Sequence, residues 1–345
     1  MKNITKILFV AITSLSMMFS VNAGELTVNG TAKATYNATS GTNQDNGLGV
    51  TNELNFTASG EMDNGYAWTY SMELDPDETD GSALNDDSQI GITLNDMGTV
   101  KICVSECSNN KKYFFDQSAY TSMSDTGVSP GITYPADELS YATLQYHTPE
   151  LPFGTTASAA YGQTKTGDGV GANSQAGSNG NNISSYSLVT KPVDGLTVSG
   201  SYYQIEDYDD GITTENQLEE GGAYALKYSA GNITVGYGKS YQAPELTTVV
   251  TTGALAAEAE YYENTGMSIG FAVNDDLSVS YTREESERNL ANSGTIQYDI
   301  EMDSIQVAYS LGGATLSIAR ADYENVNYIQ NYDAEETIVA MTFAF

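Results

Sequence analysis

Basic side chains are scarce in this chain. Thirteen Lys and Arg stand against 45 Asp and Glu in 345 residues. So acidic a surface repels nucleic acid and anionic lipid and attracts cations. There is one His, His147, and it sits beside the short turn at 149–154, away from the end where a Ser–His hydrolase site would lie, so neither an enzyme nor a cofactor site is expected. Pro is rare, at 7 residues, and Trp occurs once. Beyond the first two dozen residues no apolar run approaches the ~18 residues of a spanning helix, which argues against a helical membrane protein. Disorder, the other home of acidic sequences, fits poorly with 25 Tyr and many β-branched residues.

The start of the chain has the form of an export signal. Lys2 and Lys6 precede an apolar stretch, Ile7 to Phe19, and Val21-Asn22-Ala23 offers small residues for cleavage. Residues 1–23 are therefore expected to be a signal peptide and residues 24–345 a single mature domain. Losing Lys2 and Lys6 leaves 11 basic against 45 acidic side chains, a balance of −34. An exported chain meets an oxidising compartment, where Cys103 and Cys107 become a candidate disulfide. On a straight strand they would sit ~13 Å apart, and a bridge needs Cα atoms within ~7 Å. The bond is thus open until the path of the chain after Cys103 is known. His147 is too distant in sequence to make a Cys/His metal site with them, and no metal is expected.

What fills the chain is alternation with a period of two. Tyr66, Trp68, Tyr70, Met72 and Leu74 alternate with Thr69, Ser71 and Glu73. Met267, Ile269, Phe271 and Val273 lead into Asn274-Asp275-Asp276, and Leu277, Val279 and Tyr281 follow. The last segment carries Thr337, Val339, Met341, Phe343 and Phe345 on one face. Such segments bounded by turn residues are strands. Short connections fall at about 62–65, 95–98, 149–154, 192–195, 229–232, 274–276 and 311–313. Longer polar ones fall at about 39–50, 75–87, 105–138, 164–182, 206–220, 242–264, 286–298 and 324–333. Eight loops and seven turns join sixteen strands. The expected fold is all-β: a transmembrane antiparallel β-barrel of about 16 strands, with short turns at one end and long loops at the other.

The mature chain resembles the Gram-negative general-diffusion porins. The resemblance rests on Glu25-Leu26-Thr27-Val28-Asn29-Gly30, on Leu144-Gln145-Tyr146-His147-Thr148-Pro149 followed by Phe153-Gly154, and on the terminal Phe345. The third outer loop, about 105–138, is the longest of the eight, as it is in that family, where it folds into the lumen. One departure stands out. Ser129-Pro130-Gly131 and Tyr134-Pro135-Ala136 occupy the loop in place of the family's Pro-Glu-Phe-Gly type motif.

The resemblance implies an outer-membrane location and passive diffusion of ions and small hydrophilic solutes. It also implies a homotrimer, contact with lipid and lipopolysaccharide, and delivery by the barrel assembly machinery with Phe345 as the signal. A substrate-selective porin and a non-conducting adhesin or structural barrel are the alternatives. By parity Lys33, Glu73, Lys101 and Lys227 should line the pore wall. The third loop should bring Glu106, Asp116, Asp125, Asp137 and Glu138 to the constriction. An acidic constriction with few opposing bases should prefer cations. Lys239, Arg283 and Arg320 share parity with lipid-facing neighbours. For Arg320 the sequence leaves two explanations, a bulge that shifts the register or a subunit contact beside Asp322.

Overall fold

The computed structural model describes residues 24–41, 46–75, 84–104, 130–135, 141–165, 182–206, 217–244, 259–290 and 296–345. The expected signal peptide, 1–23, lies outside them. The strands are β1 Glu25–Gly41, β2 Gly47–Glu61, β3 Ala67–Asp75, β4 Leu84–Thr93, β5 Thr99–Val104, β6 Tyr141–His147, β7 Thr156–Lys165 and β8 Asn182–Val193. They continue as β9 Leu196–Glu206, β10 Glu220–Ala230, β11 Ile233–Ala243, β12 Ala259–Ala272, β13 Leu277–Leu290, β14 Ile300–Ser310, β15 Ala314–Glu324 and β16 Ala334–Ala344. Each pairs antiparallel with its sequence neighbours, and β16 pairs back onto β1. The sheet is a closed sixteen-stranded barrel. Closure leaves no row of unpaired N–H and C=O groups, which a hydrocarbon surround would penalise heavily.

Register turns the alternation of each strand into rings around the barrel. One row of paired residues reads Phe271, Val279, Val307, Ile318, Val339, Tyr36 and Leu48. The adjacent row reads Gly270, Ser280, Gln306, Ala319, Ile338 and Asn37. Large apolar side chains of the first row are exposed, among them Phe271, Ile318, Tyr36 and Leu48. In the second row Ser280, Gln306, Ala319 and Ile338 are buried. A closed sheet has one inside, so the exposed apolar face is the outer surface and the small or polar face lines the interior. An apolar girdle outside and a polar lining inside is the division that a bilayer and a watery lumen impose.

The turns are set by local side chains. At the β12–β13 connection the Asn274 Oδ1 accepts the backbone N–H groups of Asp276 and Leu277, both at 2.9 Å. At the β2–β3 connection Asn64 does the same for Tyr66 at 3.1 Å. Such Asx turns mimic a backbone turn and fix the register of the strands they join.

The three basic residues on the outer face are all paired. Lys239 meets Glu263 and Arg283 meets Glu301, with Asp303 at 3.2 Å from Arg283. Arg320 holds Asp322 at 3.0 Å and Glu335 at 2.7 Å. Pairing runs unbroken through Arg320, opposite Ile305 on β14 and Thr337 on β16, so no bulge re-aims it. A belt of ion pairs therefore overlies the apolar girdle on β11 to β16. Replacing Arg320 by Met leaves Asp322 and Glu335 side by side without their cation. These groups are about half exposed, so the expected loss is modest, about 1 kcal/mol. A lowered urea midpoint in detergent micelles checks it, and an unchanged midpoint would show the belt to be energetically neutral.

Candidate functional site: the barrel lumen

The inner wall is built from small and neutral side chains over much of its circumference. On β12 and β13 the inward positions are Asn264, Gly266, Ser268 and Gly270, then Ser278, Ser280, Thr282, Glu284 and Ser286. Short side chains here leave room for what enters from above. That is a segment of the third loop, residues 130–135.

Two side chains of the far wall hold this segment. The Tyr134 phenol donates to Glu284 Oε2 at 2.9 Å. Asn264 Nδ2 donates to the Thr133 carbonyl at 2.9 Å. Asn264 and Glu284 are both buried, at 2% and 4% exposure. The loop leaves β5 and returns to β6, whereas Glu284 is on β13, eight strands from β5 either way around the ring. The third loop thus reaches across the lumen to the opposite wall. Its buried carboxylate partner is satisfied by a phenol, and a buried carboxylate needs such a donor.

The connection between β15 and β16 also turns inward, through a tight turn at Val326–Tyr328 in which Asn327 and Tyr328 have left-handed φ. Val326 is wholly buried against Met302, Ala319, Ala321, Tyr323 and Ala334. Tyr328 is 6% exposed. Its phenol lies 2.8 Å from the Ser286 hydroxyl, and the Arg288 guanidinium sits 4.5 Å over its ring. Burial is the main reason that phenol titrates above its ordinary range.

The expected wall residues are distributed as follows. Lys33 on β1 sits between Thr342 and Thr51. Glu73 on β3 faces Asn55. Lys101 on β5 lies between Gly91 and Gln145, and Lys227 on β10 between Thr197 and Gly236. Each is on the inward parity of its strand, and they are spread over separate parts of the ring rather than gathered into one basic ladder. Glu106, Asp116, Asp125, Asp137 and Glu138 lie outside the described residues. Cys103 is fully buried and disulfide-bonded, and Cys107 lies outside the described residues. Phe345 is described: its N–H and C=O both bond Gly30, at 3.1 and 2.9 Å.

Sequence reasoning missed Tyr134, Asn264, Glu284, Arg288 and Tyr328. A partial signal was present. Glu284, Ser286 and Arg288 continue the inward parity of β13 upward, and the Asn-rich last loop carries Val326, Tyr328, Ile329 and Tyr332 among its polar residues.

Across solved structures, the barrel is similar to OmpF of Salmonella typhi in complex with daunomycin, at 16% identity and a TM-score of 0.67, covering 94% of this chain and 98% of that one. The fold is the porin fold. An anion-selective porin from Comamonas acidovorans matches at 13% identity and 0.64, covering 93% and 100%. A trimer form of in-vitro folded OmpT, an outer membrane protein of Vibrio cholerae, matches at 12% and 0.58, covering 94% and 100%. No known sequence family matches the chain, and no curated protein does. At these identities the likeness establishes the porin fold and leaves the sign of any ion selectivity to the side chains.

Proposed function

We propose that this chain is an outer-membrane porin that passes ions and small hydrophilic solutes by diffusion and prefers cations. The observation that carries it is the pair of adjacent rings, apolar outside and small or polar inside, on a closed sixteen-stranded barrel. Several buried polar atoms of the inner wall support a wet interior. Thr282 Oγ1, Ser268 Oγ and Asn264 Oδ1 find no protein partner among the described residues. Buried polar atoms are nearly always bonded, so water is the partner that a lumen would supply.

The cation preference rests on charge. A mature balance of −34, with the wall bases dispersed, gives a negative field along the approach to the pore. In this reading residues 1–23 are removed on export. The barrel then sits in the outer membrane of a Gram-negative cell as a homotrimer, among lipid and lipopolysaccharide, inserted by the barrel assembly machinery. Glu106, Asp116, Asp125, Asp137 and Glu138 supply the acidic side of the constriction. Lys33, Glu73, Lys101 and Lys227 line the wall, and Cys103 is bridged to Cys107. No catalytic step is assigned.

The test is a planar bilayer under a KCl gradient. Stepwise channels whose reversal potential has the cation sign are expected. An anion sign would keep the porin and sink the charge assignment. Silence from folded barrels would favour a structural or adhesive barrel instead.

A further inference from the structure

We propose that the last outer loop, residues 325–333, is a second constriction element: it folds into the lumen and clamps the third loop against the far wall. The proposal rests on the porin reading above. An ordinary outer loop would keep its apolar residues few and exposed to solvent. This one buries Val326 completely among inward-facing side chains of β14, β15 and β16. Only an inward fold brings it there.

The backbone is bent to achieve this. Asn325, Asn327, Tyr328 and Asn331 all have left-handed φ, between 55° and 60°. Asn tolerates that conformation, but an aromatic residue adopts it rarely. Tyr328 therefore holds a conformation that persists only where the surroundings dictate it. They do so from three sides. Ser286 bonds the phenol, Arg288 covers the ring, and Tyr262 packs at 6.0 Å between centroids. The loop is also braced internally. Asp333 Oδ1 accepts from the Asn325 N–H at 3.1 Å, Asn325 Oδ1 accepts from the Asn331 N–H at 3.1 Å, and the Val326 N–H donates to the Tyr332 carbonyl at 2.8 Å. Such bracing makes the infolded shape a fixed feature and not one state of a floppy cap.

The two loops then meet directly. The Asn327 N–H donates to the Pro130 carbonyl at 2.8 Å. At Gly131, with φ +81, an added Cβ would fall 2.3 Å from Asn327 Oδ1 and 3.2 Å from its Cα. A side chain at Gly131 would sit on a left-handed backbone and push the Asn327 amide aside, so Gly favours the close approach of the two loops. The third loop is thus held by β12, β13 and the last loop together, and the last loop takes up space in the lumen on its own account.

The test compares the full-length protein with two variants in planar bilayers. One replaces residues 326–331 by a short Gly-Ser linker; the other is Tyr328→Ala. Folding is verified for each by heat-dependent mobility on gels. The linker variant should raise single-channel conductance by roughly 1.5–2-fold, since removing a constriction widens the water path. Tyr328→Ala should raise it by less, with noisier open channels as the third loop loses its clamp. A silent wild type beside a conducting linker variant would also support the proposal, with the last loop as the closure. Equal conductance in all three folded proteins would overturn it and leave the porin reading standing. If neither wild type nor linker variant conducts, the porin reading falls, and this proposal falls with it.

Discussion

Phe345→Ala is expected to fold in detergent with a melting temperature close to wild type, yet to reach the outer membrane of cells at roughly a tenth of the wild-type level or less. The two effects separate because Phe345 contributes little to the finished barrel. Its backbone makes the last pair of the β1–β16 seam with Gly30, and Ala makes the same bonds. Phe345 remains 65% exposed after closure. An aromatic ring left so exposed is available to a receptor, and an aromatic anchor seated in a partner's pocket is worth ~2 kcal/mol or more. Outer-membrane yield, measured beside the melting curve of the same variant refolded in vitro, decides the matter. Normal yield in cells would show that assembly reads another feature. A large fall in melting temperature would show that the ring is structural after all.

Ile318→Arg and Ser317→Arg should behave as opposites, although the two positions are adjacent in β15. Ile318 lies in the outer apolar row between Val307 and Val339. An Arg there faces hydrocarbon and should destabilise by ~2–4 kcal/mol. Ser317 pairs with Ala308 and Ala340 on the inner face and is only half-buried. An Arg there reaches water, and the stability change should stay within about 1 kcal/mol. Its added charge should instead shift the reversal potential toward anions. Urea titration in phospholipid vesicles gives the first quantity and bilayer recording the second. Equal destabilisation by both substitutions would mean that the rows do not divide lipid from lumen.

The barrel was legible because its signal is repeated. One alternating segment is ambiguous, but sixteen of them, joined by alternating short and long connections, leave few other architectures. Strand extents were less legible. β1 has 17 residues and β5 has 6, a spread that alternation alone does not show, because a strand runs on wherever its neighbours continue to pair. The outward ion pairs were half legible. Parity exposed Lys239, Arg283 and Arg320 as out of place, but their partners Glu263, Glu301 and Glu335 are on neighbouring strands, and register is needed to bring them together. The inward fold of the last loop was hidden for a deeper reason. Residues 325–333 read as a polar outer connection. Their direction depends on what Val326 and Tyr328 pack against, and that wall is assembled from Ala319 and Ala321 on β15 and from Ser286 and Arg288 on β13.

A tube made from one rolled sheet is stiff along its strands and soft to flattening, as a paper cylinder is. The segment 130–135 changes that. Its chain is rooted at β5 and β6 and fastened at β12 and β13 through Thr133 and Tyr134, which places a strut across the diameter of the ring. Squeezing by a crowded membrane would have to stretch or shorten this strut before it could make the cross-section oval. On the porin reading proposed above, the segment assigned to the constriction therefore also braces the wall against flattening.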